Sequence, residues 1–206
     1  MLYAITESKD KIQATKETRR ALCPSCNQVM IAKTGDINVW HWAHESLTEC
    51  DPWREGESAW HLSWKSLFPK EWVEIQIVKG KNRHIADILT SQGKIIEFQK
   101  SPISVGQIEE RENFYGNLIW VFDVRDAYIE DRLSIEESVY SHYFRWKYAK
   151  KSILLATKPK FLDTGNGELF RIKTIKSTSP CYGFGNLDNQ ESFVARFTRG
   201  SVNFLY

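Results

Sequence analysis

Two thiols separated by two residues can close on one tetrahedral metal ion, and Cys23-Pro24-Ser25-Cys26 is such a pair. His41, His44 and Cys50 follow within a short span, so soft and borderline ligands gather where a structural zinc site needs four of them. Five candidates, Cys23, Cys26, His41, His44 and Cys50, compete for four positions. His41 and His44 stand three apart and would face opposite sides of an extended strand, so only a bend lets both bind. The three cysteines are therefore the expected ligands, with one of the two histidines completing the set. Four protein ligands leave no open coordination position, which makes the expected role of the Zn²⁺ structural. A redox CxxC is the competing use of this spacing, but it belongs at a strand-to-helix junction and leaves the later histidines and Cys50 unexplained.

A second set of residues offers hard oxygen donors. Asp87 ends a strand-like run, and Glu97-Phe98-Gln99 follows after ten residues on the next strand. Period two places Glu97 and Gln99 on the same face. Carboxylates on adjacent strands can converge on one Mg²⁺ or Mn²⁺, with the carbonyl of Phe98 as a further oxygen ligand. Such an ion activates water and stabilises the added charge on a phosphodiester under attack. Upstream, Glu57, His61 and Lys65 recur every four residues and share one helical stripe. On spacing alone that stripe reads as a solvent-facing surface. Beside a strand carboxylate pair it reads instead as an inward-facing set, with His61 as an additional metal ligand.

These residues need elements to position them. Leu2–Ile5 and Ile12–Ala14 alternate around Lys9-Asp10-Lys11, which predicts a hairpin, and residues 21–51 are rich in turn formers. The period changes around Glu55, and Trp60, Leu62, Trp64, Leu67 and Phe68 recur with helical spacing until Pro69. Strands are expected over 72–78, 85–89 and 94–99. Ser104 caps a helix running to about Tyr115, and Leu118–Phe122 is apolar enough for a strand buried on both faces. Beyond that the pattern predicts a polar helix over 126–143, a strand over 152–157 and short β segments over 168–175 and 191–198. The whole is an α/β fold. Residues 1–53 form a small β-rich zinc module, 54–125 a mixed sheet flanked by helices, and 126–206 an α+β extension.

Composition narrows the partners. Hydrophobic residues make up 42% of the 206-residue chain, enough for a sizeable core, and the net charge of +2 excludes a histone-like, charge-driven binder. No apolar run approaches the roughly 20 residues that span a bilayer, and the first ten residues lack the pattern of a signal peptide. The expected location is the cytoplasm, without membrane contact, where thiols stay reduced and cysteines serve as ligands or core residues. Cys181 stands apart and reads as a small apolar residue. Tyr143, Phe144, Trp146 and Tyr148 interleave with Arg145, Lys147, Lys150 and Lys151. That mixture fits phosphate binding with base stacking and fits a helix with one apolar face equally well.

Asp87 with Glu97-Phe98-Gln99 resembles the D…(D/E)xK signature of the restriction-endonuclease-like superfamily, with Gln99 in the usual lysine place. Over about residues 20–125 the chain is similar to the CoiA-like competence protein family. The shared features are Cys23–Cys26, His41-Trp42-Ala43-His44, Trp60-His61 with Trp64-Lys65, Ala86-Asp87, Ile96–Gln99 with Ser101–Ser104, and Arg111 with Phe114-Tyr115. The resemblance implies a restriction-endonuclease-like core and a Mg²⁺- or Mn²⁺-dependent deoxyribonuclease acting in DNA uptake, recombination or foreign-DNA processing, with protein partners in those processes. It implies that His61, Asp87 and Glu97 hold the catalytic ion, that Gln99 orients the water, and that Glu57 assists directly or through water. Arg111 and Tyr115 resemble a QxxxY element, with Arg for Gln, directed at the site or the DNA backbone. A glutamine amide is neutral, so either Lys65 supplies the missing cation from the helix, or catalysis is slower. A zinc-containing nucleic-acid adaptor without turnover is the remaining reading.

Overall fold

Short alternating segments fold first onto one another at the N-terminus. Strands β1 (Tyr3–Ile5), β2 (Lys11–Gln13), β3 (Arg20–Leu22), β4 (Val29–Lys33) and β5 (His41–His44) make a sheet of order β2-β1-β3-β4-β5 with antiparallel neighbours. Met1, Ala4, Ala14, Cys23, Met30 and Trp42 are its buried centre, and the Trp42 Nε1 donates to the Ile12 carbonyl at 3.0 Å. The structure, a computed structural model, describes residues 1–36, 39–46, 50–53 and 56–199. Arg54 and Glu55, where the sequence reading changes period and module, lie outside the described residues.

The chain divides into two units, Met1–Leu89 and Thr90–Tyr206. In the first, Ser58 caps α1 (Ala59–Lys65), whose Trp60, His61, Leu62, Trp64 and Lys65 are all buried. A single 3-10 turn over Lys70–Trp72 leads into the antiparallel hairpin of β6 (Val73–Lys79) and β7 (Asn82–Leu89). Gly80 sits at its tip with φ +60°, a backbone region that glycine adopts without steric cost.

In the second unit β8 (Ile95–Gln99), every residue of it buried, leads through α2 (Val105–Tyr115) to β9 (Leu118–Asp123). The capping box of Ser104 and Gln107 starts α2, and β8 and β9 pair in parallel, so the three elements form a crossover unit. Strand β12 (Lys160–Gly165) extends the parallel run from β9. Beyond it β13 (Glu168–Thr178), β14 (Cys181–Asn189), β11 (Ser141–Trp146) and β10 (Leu133–Ser138) continue the sheet antiparallel. Gly183 and Gly185 are needed in β14, because a Cβ there would strike the Thr174 and Arg171 carbonyls and the Phe144 and Phe170 rings. The sheet is mixed and carries α3 (Arg125–Ile129), α4 (Lys151–Leu155) and α5 (Gln190–Thr198).

The C-terminal third departs from its sequence pattern. The stretch expected as a polar helix over 126–143 holds only the last four residues of α3 before the β10–β11 hairpin, where Phe144 and Trp146 alternate inward and override the polar composition. Residues 152–155 of the strand expected over 152–157 belong to α4 instead. Its last turn is held by Lys160, whose buried Nζ donates to the Leu154 and Ala156 carbonyls at 2.8 and 2.6 Å. The expected β segment at 191–198 is α5, started by Asn189 accepting from the Ser192 amide and buried through Phe193 and Phe197. No helix among the described residues is long and apolar enough to cross a membrane.

Candidate functional site

Cys23, Cys26, His44 and Cys50 place one ligand atom each within 4.8 Å of one another. The Cys23 and Cys50 sulfurs are 3.8 Å apart, and the Cys26 sulfur lies 3.3 Å from His44 Nε2. Two thiolates on one tetrahedral Zn²⁺, with Zn–S near 2.3 Å, sit about 3.8 Å apart, so the spacing fits that ion. The knuckle itself is held by backbone. The Cys23 amide donates to the Gln28 carbonyl, the Asn27 amide to the Cys23 carbonyl, and the Ser25 amide to the Cys23 sulfur at 3.4 Å. All four cysteines are unbridged. Burial pushes the Cys50 thiol up to about 12, and the neighbouring Cys23 and Cys26 push in the same direction. His41 is outside the group. Strand β5 pairs regularly with β4, so His41 and His44 face opposite ways, and the His41 Nδ1 meets the Val39 carbonyl at 2.7 Å.

Three side chains tie this module to the β6–β7 hairpin. Asp51, next to Cys50, accepts from the Ile85 amide at 2.7 Å and meets His84 Nδ1 at 2.9 Å, while Trp53 stacks on the His84 ring at 3.3 Å. Gln76 donates to the Ser25 hydroxyl and carbonyl at 2.8 and 3.2 Å, on the knuckle itself. Glu74 accepts from the Leu2 and Tyr3 amides, both at 2.9 Å. Sequence reasoning named none of these three acceptors and donors, because each is a single polar residue inside an ordinary strand or loop pattern.

The stripe of Glu57, His61 and Lys65 is buried rather than solvent-facing. His61 is 6% exposed and Lys65 3%. The Lys65 Nζ lies 2.9 Å from Glu57 Oε1, 3.0 Å from Glu74 Oε1 and 2.9 Å from Asp87 Oδ1. Desolvation disfavours the Lys65 charge, but Asp87, Glu74 and Glu57 together raise its pKa well above the ordinary value. Among the described residues Glu57 Oε2 is buried without a hydrogen-bond partner. An orphaned carboxylate oxygen is a donor that suits a hard divalent cation, although among the described residues only Cys23, Cys26, His44 and Cys50 gather three or more ligand atoms. The Ser58 hydroxyl meets His61 Nδ1 at 2.8 Å, the kind of contact that fixes the orientation of a metal-ligating imidazole.

Glu74 is the member of this group that sequence reasoning missed. It holds a φ of +53°, uncommon outside glycine, and backbone outliers of this kind cluster at functional sites. Burial raises its pKa, yet Lys65, the N-terminal amino group and the two backbone amides hold it down at about 2 against an ordinary 4.5. A depressed carboxylate contributes stability above its unfolded value, and that stability is lost as pH falls through the folded one. Glu74→Gln should therefore lose on the order of 3 kcal/mol at neutral pH and flatten the acid limb of unfolding between pH 4.5 and about 2. Chemical denaturation across that window measures both.

The second unit carries the other half of the signature. Glu97 and Gln99 are buried on β8, and Arg111 of α2 reaches both. Its Nη1 lies 3.5 Å from Glu97 Oε2 and donates to Gln99 Oε1 at 3.2 Å, while Gln99 Nε2 donates to the Ser101 carbonyl at 2.9 Å. Glutamine in the lysine place thus presents its amide oxygen to a guanidinium. Phe98 and Tyr115 are buried, and Lys100, on the opposite face, lies 3.6 Å from Asp123. Glu112 packs on the same helix as a structural anchor. It accepts from the Trp120 indole and from the Thr157 and Lys158 amides, and although burial raises its pKa, these donors leave it lowered.

Residues 4–52 match the family model described as Competence protein CoiA, N-terminal domain. The likeness to CoiA is confined to this N-terminal stretch. It takes in all but the first residue of the five-stranded sheet and the whole Cys3His group, together with Asp51 and Ser25, two of the contacts to the hairpin. No curated protein and no solved structure matched the chain.

Proposed function

We propose that the chain is a Mg²⁺- or Mn²⁺-dependent deoxyribonuclease with a restriction-endonuclease-like core and a structural zinc site, serving a competence-related role in DNA uptake, recombination or foreign-DNA processing. The observation that carries the reading is the lysine ammonium 2.9 Å from Asp87 Oδ1. Strand β8 has glutamine where the signature has lysine, and helix α1 delivers a lysine to the signature aspartate instead. His61, Asp87, Glu97 and the Phe98 carbonyl are the residues assigned to the ion, with Glu57 beside them. The bound cation supplies Lewis-acid activation of water and charge neutralisation at the scissile phosphate. Lys65 adds a fixed positive charge toward developing negative charge. Gln99, oriented by Arg111 and the Ser101 carbonyl, accepts and donates hydrogen bonds that can orient a water. Arg111, assigned with Tyr115 from the family pattern to DNA contact, acts in this reading through the buried Glu97–Gln99 pair.

A second reading is favoured by one observation, that Lys65 and Arg111 are both engaged in ion pairs. It is a zinc-containing nucleic-acid adaptor whose core does not turn over. Incubation with linear and circular DNA under Mg²⁺, Mn²⁺ or EDTA separates the two. Cleavage with either metal and none in EDTA is expected. Retention of nucleic acid with no cleavage of DNA or RNA, single- or double-stranded, would leave the adaptor.

A further inference from the structure

The β11–β14 face of the second unit has no part in the reaction above. On β11, Tyr143 and Arg145 share one face while Phe144 and Trp146 are buried on the other. Across the pair, Tyr143 stands opposite Phe184 and Arg145 opposite Tyr182. The Tyr143 ring centre is 5.9 Å from that of Tyr182 and 5.4 Å from that of Phe184. The Arg145 guanidinium lies 5.2 Å from the Tyr143 ring centre and donates to its hydroxyl at 3.2 Å. Past the strand end, Tyr148 takes a φ of +57° and leaves its side chain in solvent, the residue being 88% exposed. A bulky residue in the left-handed region is an outlier whose reason is sought in function.

Tyr143, Arg145, Tyr148 and the 178–182 turn line a cleft of about 550 Å³, within the size range of ligand sites. Its lining includes Arg145 and Lys147 and no carboxylate. Aromatic faces and two cations describe a partner with flat rings and negative charge.

We propose that this cleft binds an unpaired base of a single-stranded nucleic acid. Tyr148 stacks on the base, Tyr143 and Tyr182 line the cleft behind it, and Arg145 and Lys147 take the flanking phosphates. Stacking of this kind tolerates any base, and a duplex cannot present one. The proposal rests on the nucleic-acid reading for its ligand class and does not require cleavage. Fluorescence anisotropy in EDTA at low salt, with labelled oligothymidylate and oligouridylate, tests it on the full chain. Tyr148→Ala is expected to weaken binding roughly 5- to 150-fold and Tyr148→Trp to restore it. Removing Arg145 and Lys147 together should lower the slope of log affinity against log salt by about 1.4. Comparison of the two oligomers tells DNA from RNA. Binding unchanged in Tyr148→Ala, equal competition by a blunt duplex or by polyglutamate, or no binding by the wild type would overturn the proposal. A wild type that binds these oligomers but cuts no DNA under Mg²⁺ or Mn²⁺ counts against the nuclease reading alone.

Discussion

Glu97→Ala is expected to slow Mg²⁺- or Mn²⁺-supported DNA cleavage by at least about a hundredfold while DNA binding persists. Residues that only orient metal ligands already cost 10- to 100-fold when removed, and Glu97 is assigned as a ligand. The side chain is buried on β8 with Arg111 Nη1 3.5 Å from Oε2, so alanine also strips a partner from a buried guanidinium. Glu97→Gln keeps the shape and removes the charge, and should show the same loss with a native melting profile. Cleavage rates at saturating metal and oligonucleotide binding in EDTA separate the two effects. Undiminished cleavage by the glutamine variant would remove Glu97 from the reaction.

Cys50→Ser is expected to have the largest effect on folding. Structural zinc contributes an apparent 10–16 kcal/mol, roughly, in small zinc-finger peptides, which is folding free energy that the metal-free form lacks. The N-terminal sheet has a small apolar centre, and Cys23 is part of it, so losing the ion removes the link among β3, β5 and the Cys50 segment. Bound zinc should fall from one equivalent to none, and β1–β5 should exchange amide hydrogens freely. His44→Ala should behave likewise, whereas His41→Ala should keep its zinc. Because Asp51, Gln76 and Glu74 join this module to β6–β7, exchange should also rise in the hairpin that carries Asp87. Full zinc in Cys50→Ser, or a hairpin as protected as in the wild type, would break this chain of contacts.

The contrast between the two ends of the chain shows what a sequence reveals. The cysteine spacing and the i, i+4 stripe were legible because each is a local geometric rule, a knuckle in one case and a helical turn in the other. The strands over 73–79, 82–89 and 95–99 followed from alternation and apolar runs. Glu74 was invisible because its role comes from Leu2, Tyr3 and Lys65, residues brought to it by tertiary structure, and from a backbone conformation that no pattern announces. Residues 126–143 misled for a related reason. Glu136, Glu137 and Ser138 look helical and polar, but they lie on a strand whose register is set by β11 and, behind it, by the glycines of β14. The choice between His41 and His44 depended on whether β5 bends, and its regular pairing decides which of them joins the cysteines.

Lys65 is the hinge of the catalytic reading, since it replaces the cation missing at Gln99 and is held by three carboxylates. What the proposed cleavage requires, however, is the divalent ion. Mn²⁺ uptake followed by electron paramagnetic resonance, with zinc retained, tests this most directly. The expected result is one saturable Mn²⁺ site per chain that both Asp87→Asn and Glu97→Gln abolish and His41→Ala leaves intact. Mn²⁺ uptake indifferent to both carboxylate substitutions would contradict it.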